Sequence, residues 1–215
     1  MAEPVKPKRR YDSSRRRAQA ETTRHDILEA ARRLFERQGY AATTMEAIAA
    51  EAGVALKTVY VAFETKSGLL RALWNHLLRG GRDEVPVAEQ QRYREILAET
   101  DAERQLRVTV RNSVVVKQRI GGVVEVIRSA ATIDADIGDL WRRIQSEFHA
   151  NQRGIVESIA AKGGLAPGLD VDRATDILWT LNHPNLWQLL VGERGWTPDQ
   201  FERWFAETAR AQLLG

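Results

Sequence analysis

The sequence contains no cysteine. That excludes a disulfide framework, a thiol nucleophile and cysteine-ligated zinc, and it suits a reducing compartment. Long apolar runs are also missing: no stretch approaches the roughly 20 residues that span a bilayer. The basic N-terminus, with Arg9-Arg10 and Arg15-Arg16-Arg17, is not followed by the apolar segment of a secretory signal. The expectation is a soluble cytoplasmic protein with no membrane partner. Catalytic patterns are lacking too. His25, His76, His149 and His183 show no HExxH-type ligand spacing, and no nucleophile elbow or phosphate-binding glycine loop occurs. Neither an enzyme, nor a cofactor, nor a metal site is expected. Apolar–polar alternation of the kind a sheet requires is absent, and so are internal repeats.

What is present is a helical pattern. The chain is 43% hydrophobic and 28% charged, ordinary for a globular protein, and its 215 residues suffice for one large domain or two small ones. Its net charge of +3 is unevenly placed. Lys6, Lys8, Arg9, Arg10, Arg15, Arg16, Arg17 and Arg24 face only Glu3, Asp12 and Glu21 within residues 1–24. Residues 1–20 read as a disordered basic tail, either a solubilising segment or a phosphate-contacting arm.

From residue 23 the periodicity predicts helices. Ile27, Leu28, Ala31, Leu34 and Phe35 share one face of a helix over 23–38, stopped by Gly39. A second helix over 44–52 opens on a capping box, with Thr43 as N-cap and Glu46 reaching back. Gly53 makes a tight turn, and a third helix runs over 55–63 with Val59 and Phe63 facing inward. A fourth begins near Thr65 and carries Leu69, Leu70, Leu73, Leu77 and Leu78. Gly80-Gly81 and Pro86 mark a boundary, dividing residues 21–80 from 81–215. Further helices are expected at 87–98, 102–120, 123–132, 134–162, 171–182, 184–193 and 198–213, with Pro184 in a first turn. The fold class is all-α: a three-helix head with a helix-turn-helix, then a larger helical bundle.

Two short helices joined by a glycine turn and braced by a third form a helix-turn-helix, whose second helix can enter the major groove. The segment from Ala55 to Phe63 suits that use, because Val59 and Phe63 anchor it while Lys57, Thr58 and Tyr60 can point outward. Residues 27–70 resemble the TetR family of transcriptional regulators. The resemblance lies in Ala30-Ala31, Leu34-Phe35, Gly39-Tyr40, Thr43-Thr44, Ile48-Ala49, Ala52-Gly53-Val54, Thr58-Val59-Tyr60, Phe63, Lys66 and Leu69-Leu70. It implies DNA-contacting roles for Thr44, Leu56, Lys57, Thr58, Tyr60 and Lys66, with Thr44, Tyr60 and Lys66 meeting backbone phosphates. Ala55 stands where the family often places a capping serine, and Ala62 where histidine or tyrosine often adds a phosphate contact.

The resemblance also implies a homodimer on a palindromic double-stranded operator, with recognition helices about 34–36 Å apart. Trp179, Leu186, Trp187, Leu190, Phe201, Trp204 and Phe205 form aromatic-rich faces suited to a dimer seam; the other reading is an intramolecular core. Ile120, Val124, Ile127, Trp141, Ile144 and Phe148, with His149 as a polar contact, are candidates to line a pocket for an apolar or amphipathic small-molecule effector, or else simply fill a core. The expected function is a ligand-responsive repressor. A helical ligand-binding or scaffold protein without operator function is the other reading, and it leaves the helix-turn-helix match unexplained.

Overall fold

A computed structural model describes residues 13–79 and 87–215, and among them there is no β-strand; one bridge pairs Leu165 with Leu214. Ten helices follow in order: α1 (Ser13–Ala42), α2 (Met45–Glu51), α3 (Leu56–Phe63), α4 (Lys66–Arg79), α5 (Gln91–Ala98), α6 (Ala102–Ala130), α7 (Ala135–Ala161), α8 (Val171–Leu181), α9 (Pro184–Trp187) and α10 (Pro198–Leu213). A 3₁₀ turn (Val87–Glu89) precedes α5, and a π-helical turn (Gln188–Glu193) follows α9.

Most helix starts are set locally. The side chains of Asp101, Asp134 and Asp170 accept from the backbone N–H three residues on, capping α6, α7 and α8. Thr197 and Gln200 form a reciprocal capping box ahead of Pro198. His183 caps α9, with Pro184 in the first turn. At α2 the cap is Thr44, not Thr43: the Thr44 hydroxyl accepts from Ala47 N at 3.1 Å. Thr43 is buried and its hydroxyl donates to the Gly39 carbonyl at 2.8 Å. Its side chain is thereby spent on the end of α1.

Further boundaries differ from the sequence reading: the helix expected over 87–98 is a 3₁₀ turn followed by α5, and that over 184–193 is α9 followed by a π-helical turn. Helix α1 begins at Ser13, so residues 13–20 are helical rather than part of a disordered tail. Residues 1–12, with the rest of that tail, lie outside the described residues, as do Gly80-Gly81 and Pro86. The helices expected at 102–120 and 123–132 are one helix, α6, running straight through Gly121-Gly122. Neighbours on both sides explain this. A Cβ on Gly121 would sit 3.4 Å from the Trp187 indole nitrogen, and one on Gly122 would sit 2.6 Å from the Glu36 carboxylate. Gly122 leaves room that the Glu36 side chain occupies, a Cβ on Gly121 would stand at ordinary contact distance from Trp187, and neither glycine breaks the helix.

Among the described residues there are two apolar cores. The first joins α1–α4 to the C-terminal half of α6 and the start of α7, through Ile27, Phe35, Ile48, Val59, Leu73, Trp74, Val123 and Ile127. The second lies among α5, the N-terminal half of α6, α7, α8 and α10, around Ile96, Leu106, Ile155, Leu178, Phe201 and Phe205. The head therefore shares its core with the bundle across the expected division at residue 80.

Candidate nucleic-acid interface and ligand cavity

The turn between α2 and α3 rests on Gly53, whose φ of +66° is costly for a residue with a Cβ. Helix α3 buries Val59 and Phe63 against the first core and turns Lys57, Tyr60 and Val61 outward. These three stand at i, i+3 and i+4, which is one face. Tyr60 is 44% exposed and Val61 77%. Leu56 and Thr58 are half-buried at its edge. No side chain caps α3, because Ala55 carries no acceptor. The other end is held from α1: Arg24 donates to the Ala62 carbonyl at 2.8 Å and lies 4.3 Å above the Phe63 ring.

The head is latched to the bundle at the start of α4. Lys66 donates to the carbonyls of Tyr40 at 2.9 Å and Thr43 at 3.0 Å, and sits 4.1 Å above the Tyr40 ring. Burial lowers its pKa, partly opposed by Asp134. The Tyr40 hydroxyl donates to Asp134 at 2.6 Å, and the Ser67 hydroxyl donates to Asp136 at 3.1 Å. Burial and the Asp134 carboxylate hold the Tyr40 phenol in its neutral form. Both acids begin α7, so α1, α4 and α7 meet in one polar cluster.

The far end of α4 reaches a cavity of about 140 Å³ inside the bundle. Its apolar wall includes Trp74, Ile96, Ile120, Val124, Ile144 and Phe148. Its polar wall carries Thr109, Ser113 and Lys117, spaced four apart on α6, together with Gln152 and Asn182. The buried Lys117 ammonium donates to the Asn182 side-chain carbonyl, and Asn182 donates to Gln152 at 3.0 Å. Desolvation brings the Lys117 pKa down to about 7. His183 donates to or accepts from Gln145 at 3.0 Å; burial, and then Lys117, lower its pKa.

The model for bacterial regulatory proteins of the tetR family matches residues 27–73, which is α1 from Ile27 through most of α4. The chain is 31% identical over 163 residues to the probable HTH-type transcriptional regulator ArpR of Pseudomonas putida, covering 74% of this chain and 76% of the relative. It belongs to the TetR family. A regulator from Saccharomonospora viridis solved in complex with choline superposes with a TM-score of 0.70 at 21% identity, over 90% of this chain and 98% of the other. Native NalD, the secondary repressor of the MexAB-OprM multidrug efflux pump in Pseudomonas aeruginosa, gives 0.67 at 22% identity over 91% and 98%. The chain is thus a helix-turn-helix transcriptional regulator with the TetR fold throughout.

Within this TetR-family chain the sequence-predicted residues divide. On the head, Lys57 and Tyr60 are outward, Thr44 is exposed at the start of α2, and Lys66 is already bonded to two carbonyls. Val61 was missed, though an apolar residue one position from Tyr60 on a helix anchored by Val59 and Phe63 is a readable signal. Of the cavity candidates, Ile120, Val124, Ile144 and Phe148 line it. Ile127 is instead buried in the first core, and Trp141 packs half-buried against that core. His149 lies outside the cavity, 3.2 Å from Asp176. Lys117 was missed altogether, although its place between Val114 and Ile120, three residues from each, puts it on an apolar stripe.

Of the dimer-face candidates, Phe201 and Phe205 have no exposure and Trp187 has 8%, so these three fill the protomer's own second core. That core needs bulk where α10 crosses α6, and the aromatics supply it. Trp179, Leu186, Leu190 and Trp204 remain half-buried, beside Leu189 at 47% exposed. The fold also brings His25, Glu29 and His76 together, their ligand-type atoms within 4.8 Å of one another, a juxtaposition of α1 and α4 with no counterpart in linear spacing. Among the described residues no helix is long and apolar enough to cross a membrane.

Proposed function

We propose that two copies of the chain read a palindromic operator through α3, and that a small molecule in the bundle cavity releases them. Residues 21–80 carry the DNA-reading role and residues 81–215 the dimerisation and sensing roles. Lys57, Tyr60 and Val61 face the major groove; a lysine can reach guanine or phosphate, and an apolar side chain suits a thymine methyl. Leu56 and Thr58 flank them. Thr44, at the N-terminus of α2, and Tyr60 meet phosphates, which fix register but not sequence. Lys66 serves chiefly to hold α4 against the end of α1. The dimer seam uses the outer flanks of α8, α9, the π-helical turn and α10, with Trp179, Leu186, Leu190 and Trp204 respectively. The chain's work is binding rather than catalysis.

One observation carries the release mechanism: Trp74 of α4 is buried in the head's core and also forms part of the cavity wall. A ligand that prefers a shifted α4 must disfavour the DNA-binding arrangement by its differential affinity for the two. The test is fluorescence anisotropy on a duplex from the chain's own promoter, titrated with cavity ligands. Operator affinity that falls as ligand saturates supports the reading. Affinity unchanged by a ligand shown to occupy the cavity contradicts it.

A further inference from the structure

Lys117 is 5% exposed, lies midway along α6 and belongs to the cavity wall. Among the described residues no carboxylate forms an ion pair with it. Its partner is the neutral side chain of Asn182, and the rings of Phe201 and Phe205 stand 5.9 and 5.7 Å from its nitrogen. A buried cation without a counter-charge is unfavourable, and a hydrocarbon of similar volume is generally more stable in such a place. A group held in that condition beside a cavity is a candidate for ligand recognition.

Among the described residues, the other ionisable groups around the cavity do not neutralise it. Helix α5 contributes Arg92, which donates to Asn112 at 3.5 Å, and Tyr93, whose hydroxyl donates to the Asn151 carbonyl at 2.7 Å. Helix α7 contributes Glu147, which is exposed. His183 precedes α9, and burial and Lys117 both disfavour its charged form. Helices α4 and α9 contribute only Trp74, Leu78 and Pro184. As far as the described residues line it, the interior has an apolar body and one buried basic end.

We propose that the effector of this cavity is an amphipathic acid, a carboxylate on an apolar body, whose anionic head is received by Lys117 with the amides of Asn182 and Gln152 beside it. This rests on the reading of the cavity as the sensing site. The apolar body would lie toward Ile120, Val124, Phe148 and Trp74, where it meets α4. With the amine's pKa near 7, a carboxylate arriving above neutrality draws a proton onto Lys117. Acid binding therefore takes up close to one proton at pH 8 to 9 and little at pH 6.

The test uses calorimetry on the full chain with saturated carboxylates from hexanoate to dodecanoate, each against its primary amide. The expected result is at least one acid binding tenfold or more tightly than its amide at pH 6.5. That preference should shrink about tenfold per pH unit above 7, with heats showing proton uptake in buffers of different ionisation enthalpy. Lys117→Met should weaken the acid to the affinity of the amide. Equal binding of acid and amide in the native chain, or an acid preference that survives in Lys117→Met, overturns the proposal. If amides bind and Ile120→Trp blocks them, the cavity reading stands while the acid reading falls. If no member of either series binds, both fall.

Discussion

Lys66 donates to two carbonyls at the end of α1, so removing it leaves Tyr40 and Thr43 acceptors short of a charged partner. Hydrogen bonds to charged groups contribute about 1.5–3 kcal/mol each when well buried, and half-burial reduces that. Lys66→Met should lower stability by about 1–2 kcal/mol in urea unfolding; an unchanged midpoint would remove the latch from the account. Lys117 acts in the opposite sense. Its folded pKa of about 7 lies below the ordinary lysine value of 10.5. The unfolded chain therefore binds the extra proton between pH 7 and 10.5, and stability rises with pH across that window. Below pH 7 the full penalty is present. Lys117→Met should gain about 2 kcal/mol at pH 6 to 7 and lose that upward slope, read from unfolding curves at several pH values. A native chain whose stability is flat from pH 7 to 10.5 would argue against a desolvated amine. These two lysines also mark what one dimension conceals: Lys66 follows a family motif, but its carbonyl partners lie more than twenty residues away in sequence.

The stop at Gly39 (φ +77°) and the turn at Gly53 were legible because they depend on neighbours in sequence, whereas the start of α1 at Ser13 and the Thr44 cap of α2 were not. Gly53, Val59 and Phe63 define the turn and the buried face of α3 without reference to distant residues. Gly121-Gly122 was misread for the complementary reason. Two glycines argue against a helix by about 1 kcal/mol each, and only Trp187 and Glu36, far along the chain, reveal why α6 continues. That geometry separates substitutions by size. Gly121→Ala places a methyl at ordinary contact with Trp187 and should stabilise α6 by about 0.5–1 kcal/mol. Gly121→Leu must displace the indole and should destabilise by about 1–3 kcal/mol. Thermal melts distinguish the two, and equal shifts would deny the contact. At α3 the missing cap is a local defect: Ala55 has extended backbone angles fit for a cap but no side-chain acceptor. Ala55→Ser should raise stability by about 0.5–1 kcal/mol with operator affinity retained or improved, and a melt showing no gain would mean that packing alone fixes the helix.

At the scale of the molecule, the two cores explain why the sequence showed the head more clearly than the bundle. The head's residues recur as a family pattern over 27–73. The cavity instead forms where α4 to α9 meet, so four of its expected liners were found by periodicity while Ile127, Trp141 and His149 belong elsewhere. The aromatics expected at a dimer seam were divided in the same way, since periodicity cannot tell a protomer's core from a seam between protomers. What joins the halves is α4, with Lys66 and Ser67 fixed to α1 and α7 at one end and Trp74 and Leu78 in the cavity wall at the other. Such an element can carry a change of occupancy to α3 only if the head reads DNA in the first place. Anisotropy of a labelled palindrome from the chain's own promoter, titrated with the full chain at several salt concentrations, measures that directly. The account predicts two chains per duplex, log affinity falling linearly with log salt, and losses of about tenfold for Lys57→Ala and Tyr60→Phe. Absent or salt-independent binding, or both variants binding as the native chain does, would contradict it.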